Sequence, residues 1–348
     1  MGDVEAYPQG QPNTKQPHQG ARFLGTRYVI YGAGAIGASV GGLLALAGHE
    51  VCLIARGAHL ETLRSDGLTL VTPQATHNIS IPTVGTPIEA RLGRNDVVFM
   101  TMKSQHTMDA LGALKASAPD GLSVVCAQNG VANETMALRW FANVYAMVVN
   151  MPSAHIQPGV VEASGSPVAG VLDVGRYPSG VDEVAESLAS ALTSSNIRSA
   201  TLSDVMRYKY AKLRFNTVNG LDAACGPSSR QSDLAKQARA EALAVYRAAN
   251  IDFADQLEVD TRIGDLRSVP VEGKQRSGSS SWQSLKRQTG SIESDYLSGE
   301  IVLLGRLHGV PTPVNQVLTQ LGNDMAREGL PPGSYSLDYV ETLVNQVR

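Results

Sequence analysis

The chain has 348 residues, 43% of them apolar, and its 29 basic and 32 acidic side chains leave a net charge of −3. That balance offers no basic surface for nucleic acid or an anionic membrane, and the length exceeds one compact unit, so two domains are expected. Apolar runs stay below the roughly 18 residues of a bilayer span, and the N-terminus lacks the order of a secretory signal, so the expectation is a soluble, cytoplasmic protein.

Residues 1–25 are rich in Gln, Pro and Gly and short of large apolar groups. They bury too little surface to offset ordering, so a disordered tail is expected. A strand over 27–31 then runs into Gly32-Ala33-Gly34-Ala35-Ile36-Gly37. A small-residue helix over 36–47 follows, closed by Gly48, and a second strand over 50–55. This is a βαβ unit. Further apolar strands are expected at 96–102, 122–127 and 143–149. Alternation with helical patterns predicts a parallel, doubly wound Rossmann-type sheet.

After Gly159 come short extended pieces and a helix over 181–194. From Ser203 the character turns helical. Ser203 and Asp204 are expected to cap a helix running to about residue 224, followed by helices over 233–249, 292–306 and 314–327, the last two separated at Gly309 and Pro311. The predicted division is a tail (1–25), a Rossmann-type α/β domain (26–202) and a mostly α-helical domain (203–348). Cys52 and Cys126 fall in apolar strands and read as buried thiols; with Cys225 they make an odd set without metal-ligand spacing.

Gly32, Gly34 and Gly37 match GxGxxG in its required strand-to-helix context. Gly32 permits the tight turn, Gly34 lets backbone approach a pyrophosphate, and Gly37 lets helix pack on strand. The phosphate then meets the free N–H groups of the helix start. NAD sites end the second strand in an acid that holds the ribose 2′-OH. Here Arg56 follows that strand instead, and a guanidinium suits a 2′-phosphate, so the cofactor is expected to be NADP(H). Thr101-Met102-Lys103-Ser104 and Gln128-Asn129-Gly130 follow strands at the edge where this fold meets its ligands. By position alone each of these loops serves equally to cap the next helix.

Lys212, Asn216 and Asn219 are spaced i, i+4, i+7 and share one face of a continuous helix. A lysine held near the cofactor can protonate the alkoxide that ketone reduction leaves. A solvated polar face gives the same spacing. The Ser-rich stretch 277–281 reads as a linker or as hydroxyls for a carboxylate, and Glu293 is a candidate partner for the lysine.

Taken in order, these motifs and the run from Glu293-Ser294-Asp295-Tyr296 to His308-Gly309-Val310-Pro311-Thr312-Pro313 resemble the 2-dehydropantoate (ketopantoate) 2-reductases over about residues 27–325. The resemblance implies a Rossmann domain, a helical C-terminal domain and an active site in the cleft between them. It implies that the GAGAIG turn (Gly32, Gly34, Ala35, Ile36, Gly37), Arg56, Lys103 and Asn129 hold the cofactor. Arg56 would take the 2′-phosphate, Lys103 the phosphate side, and Asn129 the ribose or nicotinamide. Lys212 would be the general acid, Asn216 and Ser280 would bind substrate, and Glu293 would bind substrate or set the lysine's state. Two positions depart from the family: its second asparagine, eight residues after the lysine, is Gly220 with Asn219 beside it, and an asparagine three before Ser280 is Ser277. Reduction of another 2-oxo acid therefore stands as an alternative, as does an NADPH-binding redox sensor. Base rates favour a homodimer.

Overall fold

The computed structural model describes residues 25–271, 273, 278–288 and 290–348. The expected tail, Gly25 apart, and Ser277 lie outside the described residues. Strands β1 (Arg27–Tyr31) and β2 (Glu50–Ile54) flank helix α1 (Ala35–Leu46), as the βαβ reading requires. After α2 (Gly57–Ser65) come β3 (Leu68–Val71), β4 (Thr76–Ile79), β5 (Thr83–Val84) and β6 (Val97–Met100). Then follow α3 (Thr107–Lys115), β7 (Ser123–Cys126), α4 (Asn133–Leu138), β8 (Asn143–Asn150), β9 (Ser153–Gln157), β10 (Val160–Ala163), β11 (Gly165–Ser166) and β12 (Gly170–Arg176). Helix α5 (Glu183–Ser194) and β13 (Ile197–Arg198) end this half.

The main sheet runs β13-β12-β8-β7-β6-β1-β2-β5. Its central strands are short and apolar on both faces, as buried parallel strands must be. Alternate residues feed two separate cores: Tyr28, Ile30 and Leu53 pack with α1 and α5, whereas Val29, Cys52 and Ile54 pack with α3 and α4. One departure from the expected parallel sheet is β12, which runs antiparallel to β8. A second, four-stranded sheet, β4-β3-β10-β9, covers α1.

The other half is helical: α6 (Val205–Asn216), α7 (Asn219–Cys225), α8 (Asp233–Ala248), α9 (Gln256–Ile263), α10 (Ser280–Lys286), α11 (Ser298–His308), α12 (Pro313–Glu328) and α13 (Leu337–Val347). The short strand β14 (Arg267–Ser268) returns to pair with β11. Its core gathers Leu221, Leu318, Leu321 and Met325 from α7 and α12. Among the described residues no helix is long and apolar enough to cross a membrane.

The single helix expected over 203–224 is two helices. It stops at Asn216, and α7 restarts at Asn219. The β-branched pair Thr217-Val218 weakens helix propensity there, and the Thr217 hydroxyl donates to the Arg214 carbonyl at 2.9 Å. The expected cap differs too. Asp204 stands at the N-cap without a side-chain cap bond, and its carboxylate accepts from Arg207 instead.

Candidate active site

A cleft of about 1300 Å³ opens between the carboxyl ends of the central strands and the helical half. One wall is the glycine turn. Gly32 has φ +107°, and a side chain there would come within 2.7 Å of the Met102 amide. At Gly37 a Cβ would meet the Gly32 carbonyl at 2.4 Å and the Thr101 hydroxyl at 2.5 Å. Gly37 therefore lies beneath the cleft, seating α1 on β1, while Gly34, Ala35 and Ile36 line it. A Cβ on Gly34 would meet no atom within 4 Å. No acid stands in the first turn of α1 and no side chain caps it. An anion can use these amides, so the turn fits a dinucleotide pyrophosphate.

His59 braces this turn. Its Nδ1 accepts from the Gly159 amide at 2.9 Å, so the ring proton is on Nε2, which donates to the Ala33 carbonyl at 2.6 Å. Burial pushes the pKa of His59 down and keeps that neutral tautomer. Arg56 follows β2, is exposed, and lines the same cleft.

The other wall carries Lys212 and Asn216 on α6, Asn219 at the start of α7, and Ser280 on α10. Lys212 Nζ donates to Asn129 Oδ1 at 3.0 Å and to the Val149 carbonyl. The Rossmann half thus holds the ammonium of a lysine that the helical half supplies. Gly130, with φ +79°, is what lets the Asn129 turn lie close to the C-terminal half: a Cβ there would be 2.8 Å from the Tyr296 carbonyl. Asn219 faces the cleft although the helix is broken, because α7 redirects it. Gly220 instead packs against α12, where a Cβ would meet the Leu318 carbonyl at 3.1 Å.

Glu293 is not the partner of Lys212. It lies at the other side of the lysine's turn, 4% exposed, with Lys103 Nζ at 2.7 Å and the Ser104 amide and hydroxyl each at 3.1 Å. Burial alone would raise its pKa, but the Lys103 charge and these hydrogen bonds outweigh it and hold the carboxylate ionised below its ordinary value. Lys103, which lines the cleft, is thus paired across it with Glu293.

Beneath Lys212 lies a buried ion pair that the chain's pattern does not announce. Lys209 and Glu134 are 4% and 0% exposed and bonded to one another; Lys209 Nζ also donates to the Gln128 carbonyl at 3.0 Å. The pair fixes the turn that carries Asn129. Nearby Glu300 is pushed up to about 7, by burial and then by the charge of Glu134. Lys209 sits three residues before Lys212 on an otherwise packed helix face, which is the one local hint of its role. Glu134 is 75 positions away.

Two family models match the chain: "Ketopantoate reductase PanE/ApbA" over 28–179 and its C-terminal counterpart over 204–326. A 2-dehydropantoate 2-reductase of Archaeoglobus fulgidus is 30% identical over 300 residues, 85% of this chain and 96% of the relative. The crystal structure of a PanE/ApbA family ketopantoate reductase from Ralstonia eutropha JMP134 superposes with a TM-score of 0.73 at 26% identity. That match covers 87% of this chain and 99% of the other. A ternary structure of D-mandelate dehydrogenase with NADH and anilino(oxo)acetate has the same fold, with TM-score 0.73, 22% identity and coverage of 88% and 99%. Glycine turn, cleft lysine and two-part architecture agree with these matches along the length of the chain, which belongs to the ketopantoate reductase family.

Proposed function

We propose that this chain reduces 2-dehydropantoate to pantoate with NADPH, using Lys212 as the proton donor. One observation carries the reading: a lysine ammonium, oriented by Asn129 and the Val149 carbonyl, projects into a cleft whose other wall is a dinucleotide turn. When bound, the reduced nicotinamide supplies the hydride that reaches the keto carbon. As negative charge grows on the former carbonyl oxygen, Lys212 Nζ stabilises it and then releases its proton there. Asn129 keeps the ammonium aimed. Asn216 and Asn219 orient the acid, with Ser280 at its carboxylate end. Glu293 takes up the Lys103 charge across the cleft. Arg56, with no acid at the end of β2, receives the cofactor's 2′-phosphate.

In this reading the halves divide near residue 202, and the enzyme is cytoplasmic and homodimeric; sedimentation of the purified protein reports the second point. Lys212→Met is expected to lower kcat by roughly 10²–10⁴-fold with NADPH affinity retained. A variant within threefold of the parent would remove Lys212 from the chemistry.

A second reading keeps this machinery and changes the acid. Gly220 is turned away from the cleft and Arg230 holds Asn219, so the tail of the substrate meets a different surface from the one the family resemblance implies. Assay of ketopantoate beside aromatic and branched 2-oxo acids, with NADPH and NADH, separates the two.

A further inference from the structure

We infer that Arg230 is the carboxylate anchor of the substrate pocket, so that the site selects substrates with a free carboxylate beside the reacting carbonyl. The inference rests on the reductase reading above and deepens it. Arg230 lies in the turn Pro227–Gln231 between α7 and α8 and lines the cleft half-buried. Its Nη1 donates to Asn219 Oδ1 at 2.9 Å and its Nη2 to the Phe215 carbonyl at 3.4 Å. Both acceptors are neutral. A guanidinium has five N–H donors in a planar fork, so most of that fork remains for a ligand. Among the described residues no carboxylate forms an ion pair with it.

The surroundings deepen the charge imbalance. Arg239 donates to the Arg230 carbonyl at 3.1 Å, and its own pKa is pushed down by burial and then by the charges of Arg230 and Arg214. Three guanidiniums thus gather behind one corner of the cleft. Half-buried cations without a counter-ion are costly, and an arriving carboxylate removes that cost. The acid in this corner does not do so: Asp222 is fully buried and its Oδ2 accepts from the Ser279 amide at 2.7 Å. Its effect is to tie the start of α10 to α7. The Ser279 hydroxyl reaches the Asn219 carbonyl at 3.4 Å, so Ser279 and Arg230 flank the same asparagine and Ser280, the next residue, lines the cleft beside them.

Position then dictates the pose. Lys212, Asn216 and Asn219 step along one wall toward Arg230. An acid with its carbonyl oxygen on Lys212 presents its carboxylate to this corner, where a bidentate guanidinium contact adds charge to the hydroxyl of Ser280. Of the other cations that line the cleft, Lys103 is on Glu293, Arg56 follows β2, Arg287 donates to the His155 carbonyl at 3.4 Å, and Arg267 lies on β14.

The test uses the full chain loaded with NADPH and two variants, Arg230→Gln and Arg230→Lys. Oxamate, a carboxylate with an inert carbonyl, is titrated calorimetrically, and kcat and KM are measured for ketopantoate and its neutral methyl ester. Arg230→Gln is expected to weaken oxamate and raise KM for the acid by roughly 10–100-fold, with a smaller fall in kcat. The ester and NADPH affinity should be nearly unchanged, and Arg230→Lys should fall between. Equal losses on acid and ester, no loss at all, or a loss seen only with 2-oxo diacids would overturn the anchor. Calorimetry separates this from the reading beneath it. A parent that binds oxamate through Arg230 yet reduces no 2-oxo acid would sink the reductase and leave the anchor, whereas a parent blind to oxamate removes the anchor.

Discussion

At the scale of single residues, charge decides most of what this cleft can do. Arg56 stands where an acid would hold a ribose hydroxyl, and it is exposed to whatever enters. Arg56→Ala should raise KM for NADPH by roughly 10–100-fold, the worth of a charge-assisted bond, and leave NADH nearly unaffected. Equal changes for both cofactors would mean that Arg56 does not read the 2′-phosphate. Glu300 gives a second test, with pH as the variable. Its pKa in the fold, about 7, lies above the ordinary value because burial and the Glu134 charge disfavour ionisation. The folded form therefore holds a proton that the unfolded chain has already lost. The resulting stability is complete below about pH 4.5 and disappears as pH rises through 7. Glu300→Gln should remove this loss, so stability of the variant relative to the parent should climb by at most about 3 kcal/mol from pH 5 to 8. Parallel denaturation curves across that range would mean Glu300 is ionised throughout.

At the scale of elements, the lysine helix matters twice. Its cleft face offers Lys212, and its buried face sends Lys209 to Glu134 on α4 and to the Gln128 carbonyl. Lys209→Met leaves an isolated carboxylate at a fully buried position, which costs roughly 3–5 kcal/mol. Urea denaturation should show that loss, and adding Glu134→Gln should recover part of it. A single variant as stable as the parent would show that water or a rearranged side chain already serves Glu134. This is also where local pattern reaches its limit. The glycine turn is legible because three glycines fall between a strand and a helix, whereas the spacing around Lys212 fits a solvated face equally and it is the family resemblance that singles the lysine out. The end of α6 is not legible, since two β-branched residues weaken a helix without forbidding it. The partner of Glu293 is equally hidden: the resemblance gives it a role, but only the packing of its turn against Ser104 gives it Lys103 in place of Lys212.

Across the whole molecule, polar contacts between the halves run from the cleft to its outer edge, and the inner ones bear on the site. Lys103–Glu293 and Lys212–Asn129 cross the cleft, while Arg262 reaches Asp173 at 2.9 Å and β14 pairs with β11 farther out. Glu293→Gln weakens the first link and leaves the outer ones. It should widen the cleft, seen as a larger radius of gyration by small-angle scattering, and lower kcat by about tenfold or more through a slackened site. An unchanged scattering curve would assign the arrangement of the halves to the outer contacts.

The amino-acid sequence by itself determined the opening βαβ unit with its glycine turn, the central strands that follow, the helical character of the second half, and the arginine in place of an acid. These depend on neighbours within about one turn of chain, where spacing and residue type act directly. Tertiary structure decided which charges pair. Lys103 with Glu293, Lys209 with Glu134, and Arg230 beside Asn219 without a counter-ion all depend on how α4, α6, α7 and the Glu293 turn converge. Ion pairing is a matter of distance in space and loss of water, and neither is written in the spacing of residues along a chain.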